Sequence, residues 1–122
     1  MGLQFENLVL NNALLIIKAL GINESEIVYD NAYFQKATKT TAGCQIDYLI
    51  QTKFNTLFVC EIKFSKREVS GKVIEEVKEK MRAIKKPKSF TCVPVLIHIN
   101  GVTEELEDSG FFYRIIDMSS YL

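Results

Sequence analysis

The chain is poor in the residues and patterns that mark several common protein classes. It has three cysteines, Cys44, Cys60 and Cys92, widely separated and without a Cys-x-x-Cys pair, and a single histidine, His98. Neither a disulfide framework nor a zinc centre is supported by that set, and reduced thiols are expected, as in a cytoplasmic protein. His98 has no metal-ligand companion near it in sequence, so a structural or surface role is expected for it. Charge of one sign is not in excess: 15 Lys and Arg balance 15 Asp and Glu. There is thus no global positive field of the kind that announces a nucleic-acid binder, and any such binding must rest on a local patch. No apolar run is long enough to span a bilayer. The first apolar stretch carries Glu6, Asn7, Asn11 and Asn12 and lacks a basic flank, so it does not read as a signal peptide. Internal repeats, linkers and low-complexity segments are absent.

What is present suits a folded core. Of the 122 residues 48% are apolar and 25% charged, which argues against disorder and fits one domain over residues 1–122. From Leu3 to Leu20 the residues Phe5, Val9, Ala13, Ile16, Ile17 and Leu20 recur at helical spacing, with Gly21 as a stop. Residues 26–39, which alternate loosely and contain Tyr29, Tyr33, Phe34 and Thr38, predict one strand with a bend near Asp30-Asn31. "QIDYLIQTKFNTLFVCEIKFS", Gln45 to Ser65, predicts a β-hairpin. A second helix follows Ser70 with the stripe Val73, Val77, Met81 and Ile84, closed by Pro87. Phe90–Ile99 predicts a strand in which Pro94 implies an edge, a bulge or a start. A last strand is expected near Phe112–Ile116. The predicted order is α-β-β-β-α-β-β, an α/β chain.

The hairpin raises a problem of charge. Alternation puts Ile46, Tyr48 and Ile50 on one face and Asp47 on the other, and in the second strand opposes Phe58, Cys60, Ile62 and Phe64 to Glu61 and Lys63. A three-residue loop at Lys53-Phe54-Asn55 brings the apolar faces together if paired residue numbers sum to 108, which sets Asp47 across from Glu61. Two carboxylates about 4 Å apart at an effective dielectric of about 20 repel by roughly 4 kcal/mol. Lys63 supplies one compensating charge, and a hard divalent cation, which favours one or two carboxylates plus water and phosphate oxygens, would supply the rest. Glu6 falls inside the apolar stripe of the first helix beside Leu10, Ala13 and Ile17, and a carboxylate aimed at the sheet needs a partner.

Asp47, thirteen intervening residues, then Glu61-Ile62-Lys63 on the next strand, with a helix carrying Glu6 before and a second helix after, resembles the PD-(D/E)XK nuclease superfamily. More narrowly, "FENLVLNN", "GCQIDYLI" and "CEIKFS" resemble the nuclease-like domain at the C-terminus of certain bacterial and archaeal AAA-type ATPases. The resemblance implies a restriction-endonuclease-like core, a mixed central sheet flanked by helices. It implies Mg²⁺, or Mn²⁺ in its place, held by Asp47, Glu61 and Glu6, with Lys63 positioning or activating the attacking water, and hydrolysis of DNA phosphodiester bonds. Ile46 stands where the family name has proline, and the Gln-x-x-x-Tyr motif of one exonuclease branch is absent from the second helix. No GxxxxGK[ST] occurs, so under the narrower resemblance the chain is an excised domain and an ATPase domain is a partner in the full-length protein. The alternative function is a non-catalytic nucleic-acid or protein interaction module serving such an ATPase.

Lys66, Arg67 and Lys72 follow the acidic hairpin and are candidates for contact with a DNA backbone, with Lys85, Lys86 and Lys88 as a weaker group. Ser65 and Gln45 flank the acids and either orient a water or satisfy backbone. DNA is therefore the expected partner, a homodimer is open, and no membrane partner is expected.

Overall fold

The computed structural model describes residues 12–121. A five-stranded mixed sheet in the order β1-β2-β3-β4-β5 carries helices on its two faces. Helix α1 spans Ala13–Ala19, and the earlier part of the expected helix, Glu6 included, lies outside the described residues. Its end is built by Gly21 at φ 71°, where the N–H groups of Gly21 and Ile22 donate back to the carbonyls of Lys18 and Ile17. That pair of bonds is a Schellman closure, and the left-handed residue at its centre explains the glycine.

Strand β1, Ile27–Gln35, is shorter than the expected 26–39 and carries two register shifts, between Ile27 and Tyr29 and between Asn31 and Tyr33. It pairs antiparallel with β2, Cys44–Thr52, which turns through residues 53–55 into β3, Thr56–Lys63. Asn55 takes the left-handed conformation, φ 57°, that three-residue hairpin loops require. The ladder from Tyr48↔Cys60 to Gln51↔Leu57 has the register expected from the apolar faces.

Helix α2, Lys72–Ala83, crosses over so that β4, Thr91–His98, lies parallel to β3. Ser70 contributes to its start only loosely, its Oγ lying 3.4 Å from the Lys72 N–H. Before β5, Arg114–Asp117, the chain forms a short helix α3, Glu104–Asp108, which hydrophobic periodicity does not reveal because five residues make little more than one turn. Its signals are local: Thr103 Oγ1 accepts from the Leu106 N–H, acidic residues fill the first turn, and Leu106 is buried. Among the described residues the order of helices and strands is therefore α-β-β-β-α-β-α-β, with one short helix more than the expected α-β-β-β-α-β-β.

Pro94 sits in a strand with a neighbour on each side, yet β5 pairs with β4 only from Val95 onward. The Pro94 carbonyl accepts from Tyr113 N–H on that same side, so the missing amide hydrogen falls where the neighbouring strand has not yet begun.

Two cores result. On one face Ile16, Ile17 and Leu20 of the first helix pack on Tyr48, Ile50, Cys60, Val95 and Ile97. On the other, Val73 and Val77 of α2 pack on Leu49, Leu57, Val59 and Leu96. The second face is tied down by Gln35, 8% exposed, whose amide donates to the Ala42 and Ala83 carbonyls and whose oxygen accepts from Lys85 N–H and the Tyr33 hydroxyl. Replacing Gln35 by alanine is expected to lower stability by about 2 kcal/mol in urea unfolding, since several buried groups lose their partner at once. No described helix is long and apolar enough to cross a membrane.

Candidate active site

A bulge in β2 builds the site. Between the pairs Asn31↔Leu49 and Tyr33↔Ile46, the single β1 residue Ala32 faces two β2 residues, Asp47 and Tyr48. Such a bulge breaks alternation and re-aims side chains. Ile46, expected beside Tyr48 and Ile50, instead packs in the opposite core with Leu49 and Val59. Asp47 leaves the ladder as well: rather than standing as a plain cross-strand partner of Glu61, its Oδ2 accepts the backbone N–H of Ile62 at 2.8 Å. The β2–β3 ladder ends at Tyr48↔Cys60, and the carboxylate takes a β3 donor just beyond that end. Just upstream, a Cβ on Gly43 would meet Ala37 N and Gln35 O at 2.9 Å, so only glycine lets the chain pass there.

Asp47, Glu61 and Lys63 line one open cleft of about 670 Å³ between the end of β2, β3 and α2, together with Gln45, Glu76 and Lys80. Glu61 is 3% exposed. Its Oε1 is 2.7 Å from Lys80 Nζ and its Oε2 is 3.6 Å from Lys63 Nζ. Lys63 is itself held by Glu76 at 2.8 Å. Burial pushes the Glu61 carboxyl above its ordinary range, with Asp47 adding to the rise; the hydrogen bond from Lys80 and the charges of Lys80 and Lys63 oppose it without cancelling it. For Lys63 burial acts downward, but the hydrogen bond to Glu76 and the charges of Glu61 and Glu76 prevail, so its affinity for the proton is raised. At neutral pH Lys63 is an ammonium.

Lys80 and Glu76 are the site residues that the sequence pattern did not bring forward. A signal existed: Lys80 lies seven residues after Val73 and three after Val77, inside the buried stripe of α2, where a lysine needs a buried anion. Among the remaining expected residues, Lys72 lines a smaller cleft next to Lys63 and Glu76, while Lys66 and Arg67 are exposed in the loop after β3. The Ser65 hydroxyl donates to the Arg67 carbonyl and is thereby occupied with backbone. His98 is buried, and its Nδ1 accepts the Gly101 N–H, a structural role. Among the described residues no group of three His, Cys, Asp or Glu side chains converges as a metal site. Four carboxylates line the cleft, Asp47, Glu61, Glu76 and Glu79; of these Asp47 and Glu61 stand on adjacent strands, a pair of hard-oxygen donors of the number Mg²⁺ takes when water and phosphate complete its shell.

The fold has a counterpart among solved structures. A repair endonuclease from Pyrococcus abyssi superposes with a TM-score of 0.52 at 14% identity, over 86% of this chain and 44% of that one. The two share the fold, a mixed sheet with helices of the restriction-endonuclease-like type, and the chain spans less than half the length of that protein. No family model and no curated protein matches the sequence.

Proposed function

We propose that the chain is a metal-dependent nuclease that hydrolyses DNA phosphodiester bonds, with Asp47 and Glu61 holding Mg²⁺ and Lys63 as the catalytic cation. The observation that carries the reading is the convergence of a buried glutamate, an aspartate and an ammonium in one cleft, on a fold shared with a repair endonuclease. When bound, Mg²⁺ polarises a phosphodiester oxygen and acidifies water. The chain's own part is electrostatic. Asp47 is fixed by the Ile62 N–H, Glu61 is paired with two lysines, and the Lys63 ammonium, protonated at neutral pH, meets the negative charge that grows on the phosphoryl oxygens. Lys72, Lys66 and Arg67, just beyond Lys63, supply contacts to the phosphate backbone. Glu6 is proposed as a further ligand from the resemblance alone.

The deciding experiment is cleavage of single-stranded, duplex and branched DNA with and without Mg²⁺. Mg²⁺ or Mn²⁺ is also expected to raise the melting temperature by about 4 °C or more near saturation, because a cation that relieves carboxylate repulsion binds the native state preferentially. An equal rise in an Asp47→Asn, Glu61→Gln double variant would assign the effect to other carboxylates.

The second function is an interaction module in a longer ATPase chain, supported by the likeness of three segments to that class of domain and by the balance of 15 basic against 15 acidic residues. Under it the site binds metal or nucleic acid without cutting. Metal-dependent melting with no cleavage of any DNA form would favour it.

A further inference from the structure

On the sheet face covered by α2 a second groove, of about 320 Å³, opens beside the acidic cleft. Its floor is Leu49 and Leu57, one wall is Tyr29 and Tyr33 of β1, and the other is the segment that leaves α2 with Lys85 and Lys86. The Gln35 side chain stands between the two clefts: it bonds Ala42 and Ala83, whose residues line the acidic cleft, as well as Lys85 and Tyr33, which line the groove. The two depressions are therefore neighbours fastened by one side chain.

The groove's chemistry is unlike that of its neighbour. None of its lining residues is acidic and two are lysines. Tyr29 is 41% exposed, and its hydroxyl is turned back onto the Ala32 carbonyl, so the ring and not the hydroxyl is what it offers a ligand. The Lys86 ammonium donates to the Phe90 carbonyl, while Lys85 is exposed and its backbone N–H donates to Gln35. Apolar floor, aromatic wall and cationic rim are what a flat, anionic-backboned ligand needs: base faces stack on the ring while phosphates meet ammonium groups. A duplex cannot use such a recess, because its bases are already stacked on one another.

From this we infer that the Tyr29–Lys85 groove binds unpaired nucleotides, so that a single-stranded segment of nucleic acid lies beside the acidic cleft. This extends the nuclease reading by naming the form of the substrate, and rests on that reading only for what happens in the cleft. Binding itself needs no metal.

The test is titration of the full chain with a labelled single-stranded oligodeoxynucleotide of mixed sequence in excess chelator, followed by anisotropy and by tyrosine emission, which is unobscured because the sequence has no tryptophan. Single-stranded DNA is expected to bind and quench the emission. Tyr29→Ala is expected to weaken binding roughly tenfold with much of the quenching lost, in line with alanine substitution of stacking residues. Lys85→Glu, an exposed position whose change leaves the core untouched, is expected to weaken binding and to flatten its salt dependence. The corresponding duplex is expected to bind more weakly and to be indifferent to Tyr29→Ala. Thermal melting of each variant checks the fold. Single-strand affinity unchanged in both variants, or no binding by the parent chain, would overturn the inference, the latter leaving the groove to a protein partner. Groove-dependent binding without cleavage under Mg²⁺ would keep the inference and sink the nuclease reading.

Discussion

Replacing Lys63 by alanine is expected to lower metal-dependent cleavage by roughly 10²–10³ while the protein stays folded, the range found when one preorganised donor to a developing negative charge is removed. The expectation rests on position and charge together. Lys63 is 35% exposed at the mouth of the cleft, 3.6 Å from Glu61, and held by Glu76 at 2.8 Å, so it is fixed in place yet open to a ligand. Its raised proton affinity makes it a donor and not a base at neutral pH. Because Lys80 remains on Glu61, the buried carboxylate keeps a partner in the variant and the fold does not depend on Lys63. Single-turnover cleavage, with circular dichroism on the same sample, is the measurement. Activity that survives the substitution would mean a contaminant or a different site.

Lys80→Met is expected to have the largest effect on stability, about 3 kcal/mol by urea unfolding at pH 7, because it leaves Glu61 buried with its nearer cation gone. Two features hold the cost toward the lower end of that for broken buried pairs: Lys63 still stands within 3.6 Å, and Lys80 is itself 24% exposed. Adding Glu61→Gln to the same chain is expected to restore most of the loss, since the uncompensated charge is removed. The pH dependence has a definite sign. The folded-state pKa of Glu61 lies above its ordinary value of 4.5, first through burial, so between that value and the folded pKa the native state holds more protons than the unfolded one. Stability contributed by this group is therefore lost as pH rises through the window. Removing Lys80, which acts to lower the pKa, widens the window, so the deficit of Lys80→Met is largest at neutral pH and shrinks as pH falls toward 4.5. A deficit independent of pH would mean that Lys80 acts through packing of its stem alone.

The two variants divide the site's charges by task. Lys80 answers to Glu61 from the helix side and bears on stability; Lys63 answers to the same carboxylate from the solvent side and bears on chemistry. Glu76 competes for Lys63 with any anion that enters the cleft, so phosphate binding there must displace or share that ion pair.

Much of this was decided within the sequence. The alternation of Tyr48, Ile50, Phe58 and Cys60 left one register that buries both apolar faces, and a three-residue loop with Asn55 in the left-handed conformation delivers it. Gly21 ends the first helix, and the stripe Val73, Val77 and Ile84 seats the second, because helical periodicity is a local property of the chain. What only the tertiary structure decided depends on contacts between distant segments. The β2 bulge moves Ile46 to the other core and turns Asp47 onto the Ile62 N–H, and no periodicity encodes it, since it arises from how β1 and β3 share β2. Lys80 becomes a site residue only when α2 packs its stripe against β3, nineteen residues back along the chain, where a buried carboxylate waits for it. Residue types and local spacing fixed the strands and helices; the pairing of charges across them was set by the low dielectric of the packed face, which exists only once the sheet is covered.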